Sequence, residues 1–238
     1  MIENLSLAEI VKSKPETAAL LEKYDLDFCC KGKMKLSDQV KDPDRLKDII
    51  GELEIVFSKG KIQEVNYEEL SLTALVDHIL QTHHTYVKEV MPLILLHLEK
   101  VAAKHGDRFP YMKRILALFF EVKHDLEQHL VKEEMILFPQ IKLIEAEKSL
   151  EKNPETPFRV DMPILVMEEE HEVVGKLMQE IRLLSNHYTA PEGACMTFMV
   201  SLDELKKFEE DLHIHVHLEN FILFPKAIRL QNDLSDKV

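Results

Sequence analysis

With six glycines in 238 residues and few runs that alternate apolar and polar side chains, the sequence has little of what sheets require. That shortage excludes a strand-rich fold and leaves one that is nearly all helical. Cysteine is scarce too. Three cysteines, two of them adjacent, make no disulfide framework, and they suit a cytoplasmic compartment in which thiols stay reduced. No apolar run is long enough to span a bilayer, and Met1 to Leu5 lacks the basic and apolar stretches of a secretory signal. Basic residues are in deficit: 30 Lys and Arg against 43 Asp and Glu give a net charge of −13. This argues against nucleic acid or an anionic membrane as partner. What the chain does have is 45% hydrophobic residues, enough to bury a sizeable core.

The order of turn signals divides the chain. Residues 1–60 read as a small helical N-terminal domain. Ser6 can cap a first helix from Leu7, Pro15 opens a second from Thr17, and Asp42-Pro43 opens a third. Between the second and third, Asp27-Phe28-Cys29-Cys30-Lys31-Gly32-Lys33 is a turn carrying two thiols. A linker follows over 61–69, and residues 70–238 show four long helical patterns. These run from about Ser71 to Lys104, Tyr111 to beyond Pro139, Pro163 to His187 and Ala194 to Leu230. Pro139 and Pro225 are expected to kink or stop their helices.

One block occurs twice. His129-Leu-Val-Lys-Glu133, followed by Ile136-Leu-Phe-Pro139, matches His215-Val-His-Leu-Glu219, followed by Ile222-Leu-Phe-Pro225. Leu80, His84, Val87 and Met91 likewise match Met167, His171, Val174 and Met178 at a constant offset. At helical spacing each of these His and Glu residues shares a face with the apolar stripe. An unpaired ionisable group pointing into a core is costly, and a bound metal removes the cost. A single His-x-x-x-Glu is ordinarily a surface pair, but two of them on apolar faces, joined by two more inward histidines, strain that reading. The duplication thus predicts a four-helix bundle with pseudo-twofold symmetry. That symmetry would bring His84, His129, Glu133, His171, His215 and Glu219 to one centre.

Imidazole and carboxylate donors together suit iron, manganese or zinc and not calcium. Two Glu from facing helices can each bridge two ions, with the four His shared as pairs. An added oxo or hydroxo bridge then leaves one coordination position open on each ion. Carboxylate-bridged pairs in helix bundles are characteristically di-iron or di-manganese, so two non-haem irons are expected. Among neighbouring acids, Glu170 is the first choice to orient a ligand imidazole or carry protons, whereas Glu134, Glu168 and Glu169 read as mostly solvated charge. His83 and His124 lie at the edge of the apolar stripe, where either could support a ligand, and His213 and His217 fall opposite it, toward solvent. Cys29 and Cys30 have two readings. Lys31 and Lys33 would lower a thiol pKa in an exposed turn and favour redox or metal-transfer chemistry; alternatively the two are small apolar residues packed beneath the turn.

The Asp27-Phe-Cys-Cys turn after Leu21-Glu-Lys-Tyr24, followed by the paired His-x-x-x-Glu-x-x-Ile-Leu-Phe-Pro blocks, resembles the repair-of-iron-centres proteins over essentially the whole chain. The resemblance implies a hemerythrin-like di-iron bundle behind a small cysteine module. It further implies repair of iron–sulfur clusters damaged by nitric oxide or oxidants through supply of iron, in a cytoplasmic, stress-induced homodimer. Its partners are then damaged or apo iron–sulfur proteins, and the same six His and Glu residues are its ligands. The family turn usually reads Cys-Cys-Gly-Gly, whereas Lys31 stands here in place of the first glycine. The extra histidines of oxygen-carrying hemerythrins are absent, which favours a more labile centre. A rival reading is a centre that binds nitric oxide or oxygen, or reduces nitric oxide; another is a structural bundle with incidental histidines.

Overall fold

The computed structural model describes residues 2–58, 66–149 and 158–235. The expected boundary at residue 60 and most of the linker over 61–69 lie outside them. Helix α1 (Leu7–Ser13) opens on a capping box: Ser6 Oγ accepts from the Glu9 N–H, and the Glu9 carboxylate accepts from the Ser6 N–H. Helix α2 (Thr17–Lys23) follows Pro15. Helix α4 (Pro43–Ser58) starts where Asp42 accepts from the N–H groups of Asp44 and Arg45. Between them lies α3 (Leu36–Gln39), a single turn too short to show a period.

Four long helices form the bundle. Helix A comprises α5 (Leu72–Ile79), a π turn (Leu80–His84) and α6 (Thr85–His105). Helix B comprises α7 (Tyr111–Lys132), a π turn (Glu133–Leu137) and α8 (Phe138–Ser149). Helix C is α9 (Asp161–Leu184). Helix D comprises α10 (Met196–Leu218), a π turn (Glu219–Leu223) and α11 (Phe224–Ser235). A packs against B and D, and B also packs against C, as an antiparallel bundle requires.

Of the two outcomes expected at Pro139 and Pro225, the stop does not occur, and both helices continue through the proline. The π turn just before each proline is the reason. In it the N–H of Phe138 reaches the Glu133 carbonyl, and that of Phe224 reaches the Glu219 carbonyl. The widened turn makes room for a ring that would otherwise meet the carbonyl of the preceding turn. Helix C ends early, before Asn186, His187 and Tyr188, all of which have positive φ.

The apolar core comes in two parts. One contains Val87, Phe119, Val122, Leu126, Val174, Phe208 and Leu212, and continues into Leu7, Leu21, Phe28 and Leu53 of the N-terminal segment. The other contains Leu75, Ile79, Leu137, Phe138, Met167, Leu218, Leu223 and Phe224. Along every bundle helix the conspicuous polar residues lie between these two parts, so they form a layer across the molecule. No helix among the described residues is long and apolar enough to cross a membrane.

Candidate metal centre

The polar layer consists of His84, His129, Glu133, His171, His215 and Glu219, each no more than 3% exposed. They form two groups that share both carboxylates: His84 and His215 with Glu133 and Glu219, and His129 and His171 with the same pair. Glu219 turns one oxygen to each group. Its Oε1 lies 3.0 Å from His215 Nε2 and 3.9 Å from His84 Nε2, and its Oε2 lies 3.3 Å from His171 Nε2. Glu133 Oε2 lies 3.4 Å from both His84 Nε2 and His129 Nε2.

Three imidazoles are held from behind. His84 Nδ1 lies 2.8 Å from Glu134, His129 Nδ1 2.9 Å from Glu170 and His171 Nδ1 2.9 Å from the Asn220 side-chain oxygen. Lys88 anchors Glu134 at 2.6 Å, and Lys132 anchors Glu170. With Nδ1–H donated outward, a neutral imidazole turns the Nε2 lone pair inward. His129 Nε2 and His171 Nε2 then face each other at 3.0 Å, a separation that needs a cation between them, either a proton or a metal ion. His84 Nε2, both oxygens of Glu133 and Glu219 Oε2 are buried without a hydrogen-bond partner, and such atoms in a dry interior are costly. Imidazole and carboxylate donors are what a transition metal takes, so the residues fit the ion.

The electrostatics show the same demand for positive charge. Burial pulls the His84 imidazolium down, but hydrogen bonds and charge from Glu133 and Glu219 outweigh it and lift the group to about 10. Burial is likewise overcome at His129, chiefly by the Glu133 charge, and that group rises to about 9. Burial would raise Glu219, yet the surrounding imidazoles hold it well below the ordinary carboxylate range. An incoming metal ion therefore displaces protons.

The thiol turn lies against this layer. Asp27 Oδ1 accepts from the N–H groups of Cys29, Cys30 and Lys31. Cys30 Sγ is 3.9 Å from the His171 carbonyl, and Asn220 Nδ2 reaches the Cys29 carbonyl at 3.5 Å. Of the two readings of this turn, the packed one holds for Cys29, and the exposed, activated pair beside Lys31 and Lys33 does not. Cys29 is buried, and contact with the Cys30 sulfur, together with burial and the Asp27 charge, pushes its thiol well up. Cys30 is half-buried and lines a cleft of about 240 Å³ with Lys176, Arg182 and His213. Asp27, Cys29 and Cys30 also bring three donor atoms together.

Other expectations need correction. His217 is buried, edge-on to Phe28, and His213 is bonded to Glu22 at 2.9 Å. Helical spacing, which shows one apolar stripe but not the N-terminal segment that covers helix D, places both toward solvent. Glu134 is no solvated charge but shares with Glu170 the task of holding an imidazole. His124 is exposed, whereas His83 is buried beside His215. Asn220 went unnoticed, although it follows Glu219 as Glu134 follows Glu133, and the duplication could have found it.

The chain matches the Hemerythrin HHE cation binding domain over residues 75–227 and a domain of unknown function over residues 3–54. It is 33% identical over 224 residues to a Haemophilus influenzae protein named "Probable iron-sulfur cluster repair protein", covering 93% of this chain and 96% of that one. It is also 33% identical over 223 residues to the Escherichia coli O81 iron-sulfur cluster repair protein YtfE, with the same coverage, and 32% identical to the Escherichia fergusonii protein of that name.

Proposed function

This chain belongs to the hemerythrin HHE cation-binding family, among the relatives named for iron–sulfur cluster repair, and on that premise we propose that it is a di-iron protein that restores damaged clusters by donating iron. The carrying observation is the pair of His and Glu groups that share Glu133 and Glu219. Two carboxylates common to two imidazole pairs are what a bridged pair of ions requires, and a single ion would leave one imidazole pair idle. The bound iron is itself the cargo. When bound, it supplies a ferrous ion that an apo or damaged cluster can take up.

The protein's own residues do the rest. Glu134, Glu170 and Asn220 orient the imidazoles, while the two apolar parts of the core keep water from the donors. Protons held by His84 and His129 compensate the carboxylates when iron is gone, so emptying the centre does not strand bare charge. Cys29 and Cys30, beside His171, are the groups that would guide docking or transfer. Residues 1–60 act in this reading as a module docked on the 70–238 bundle, in a cytoplasmic homodimer whose partners are damaged iron–sulfur proteins.

Anaerobic loading with ferrous iron is expected to give two irons per chain. Mixing with a nitric-oxide-damaged [4Fe–4S] dehydratase should then return its activity as iron leaves in step. His129→Ala with His215→Ala should abolish both iron and repair while far-ultraviolet helicity persists. Catalytic consumption of nitric oxide without iron loss would sink the donation reading in favour of a nitric oxide reductase.

A further inference from the structure

The four imidazoles are not held alike, and the duplication shows where the difference lies. The first histidine of each half, His84 or His171, meets the residue that follows the shared glutamate: Glu134 in one half, Asn220 in the other. In the second pair, His129 gives Nδ1 to Glu170, the residue before His171. The residue before His84 is His83, so the duplication puts an imidazole where His215 needs an acceptor. His83 does not serve. Its Nδ1 lies 2.9 Å from Asp211, and its ring is stacked on that of His215 at 5.4 Å between centroids and 4° between planes. A stacked ring presents its face, not its in-plane lone pair. His215 Nδ1 is accordingly buried with no hydrogen-bond partner.

We infer that the ion held by His84 and His215 is the exchangeable one of the pair, and that His83 makes it so by denying His215 an acceptor. To ligate through Nε2, a neutral His215 must carry its hydrogen on Nδ1, where nothing accepts it, and a buried unpaired N–H is unfavourable. With the hydrogen on Nε2 instead, the ring can donate to Glu219 Oε1, 3.0 Å away. His215 alone among the four has both an unheld back and a ready partner once the ion is gone. Loss of an orienting partner behind a ligand weakens metal holding by roughly 10–100-fold, and the two ions should differ by about that factor. The thiols lie beside His171, so they flank the ion that stays, which fits docking better than relay of the departing iron. The inference rests on the two-ion reading.

The test is release from the full chain loaded anaerobically with ferrous iron and mixed with excess ferrous chelator. Two phases separated by roughly 10–100-fold are expected. His83→Gln offers His215 the kind of amide acceptor that Asn220 offers His171, and should slow the fast phase about tenfold or more while sparing the slow one. Glu170→Ala strips the acceptor from His129 and should speed the slow phase alone. Should His83→Gln fold poorly, His83→Glu combined with Asp211→Asn supplies the acceptor without crowding two carboxylates, and must slow the same phase. Two irons leaving in one phase, or a folded acceptor variant with an unchanged fast phase, would overturn the inference while leaving the two-ion reading intact. Uptake of fewer than two irons would overturn both.

Discussion

Asn220 joins the thiol turn to the polar layer: its side-chain oxygen accepts from His171 Nδ1 at 2.9 Å, and its amide nitrogen reaches the Cys29 carbonyl at 3.5 Å. One side chain thus fixes an imidazole and receives the N-terminal segment. Asn220→Ala is expected to weaken ion binding by roughly 10–100-fold, the usual effect of removing a group that orients a ligand. Asn220→Asp keeps the acceptor for His171 but loses the donor to Cys29. Metal titration of the two variants should find the aspartate close to the parent and the alanine far from it. Equal loss in both would mean that the contact with the thiol turn, not the orientation of His171, is what matters.

The charge on the buried histidines predicts opposite pH behaviour for the empty and loaded protein. His84 and His129 have folded values of about 10 and about 9, above the ordinary 6.5. A raised value contributes stability that is fully present below the unfolded value and is lost as pH rises through the folded one. The metal-free chain is therefore expected to lose thermal stability between about pH 7 and pH 10. In the loaded chain the ions replace those protons, so the same window should leave it nearly flat. Melting curves at a series of pH values check both. A metal-free chain that becomes more stable toward pH 10 would contradict the assignment of those protons.

How much of this could be read in advance depended on whether a residue's neighbours lay within the duplicated pattern. The six central residues share their helices' apolar faces, and spacing alone put them together. Glu170 was legible because it adjoins His171 in sequence. Asn220 becomes legible only when the two halves are superposed and each residue is compared with its counterpart, as does the particular role of His83, whose place at the edge of the stripe spacing alone shows. The choice between the two readings of Cys29, and the covering of His213 and His217, was not legible. It depends on the N-terminal segment lying on helix D, a contact between separate patterns that no local period encodes. The passage of helices B and D through Pro139 and Pro225 was hidden for a different reason: π turns insert a residue that a 3.6-residue period does not anticipate.

Gly32 closes the thiol turn where there is no space for a side chain. A Cβ there would lie 2.3 Å from the Phe28 carbonyl oxygen and 2.6 Å from the Phe221 ring. Its carbonyl accepts the Ala8 N–H at 2.9 Å, which ties the turn to α1. Gly32→Ala must displace backbone as well as a packed ring. A cost of about 1–3 kcal/mol is expected for such overpacking, with the thiol turn lifting from helix D. Urea unfolding measures the cost. An unchanged midpoint would show that the turn gives way freely.

The two thiols, adjacent in sequence, are expected to react very differently. The thiolate is the reactive form, and Cys29 is both buried and held protonated by the Cys30 sulfur, its burial and Asp27. Cys30 is half-buried and faces the cleft bordered by Lys176 and Arg182. Limited alkylation of the folded chain near neutral pH should label Cys30 first, with Cys29 lagging by about tenfold or more. Addition of urea should abolish the difference, because the protection belongs to the fold. Peptide mass spectrometry reads both sites in one sample. Equal labelling in the folded protein would mean that the turn opens on the timescale of the reagent, and would return the pair to the exposed, reactive arrangement that its flanking lysines first suggested.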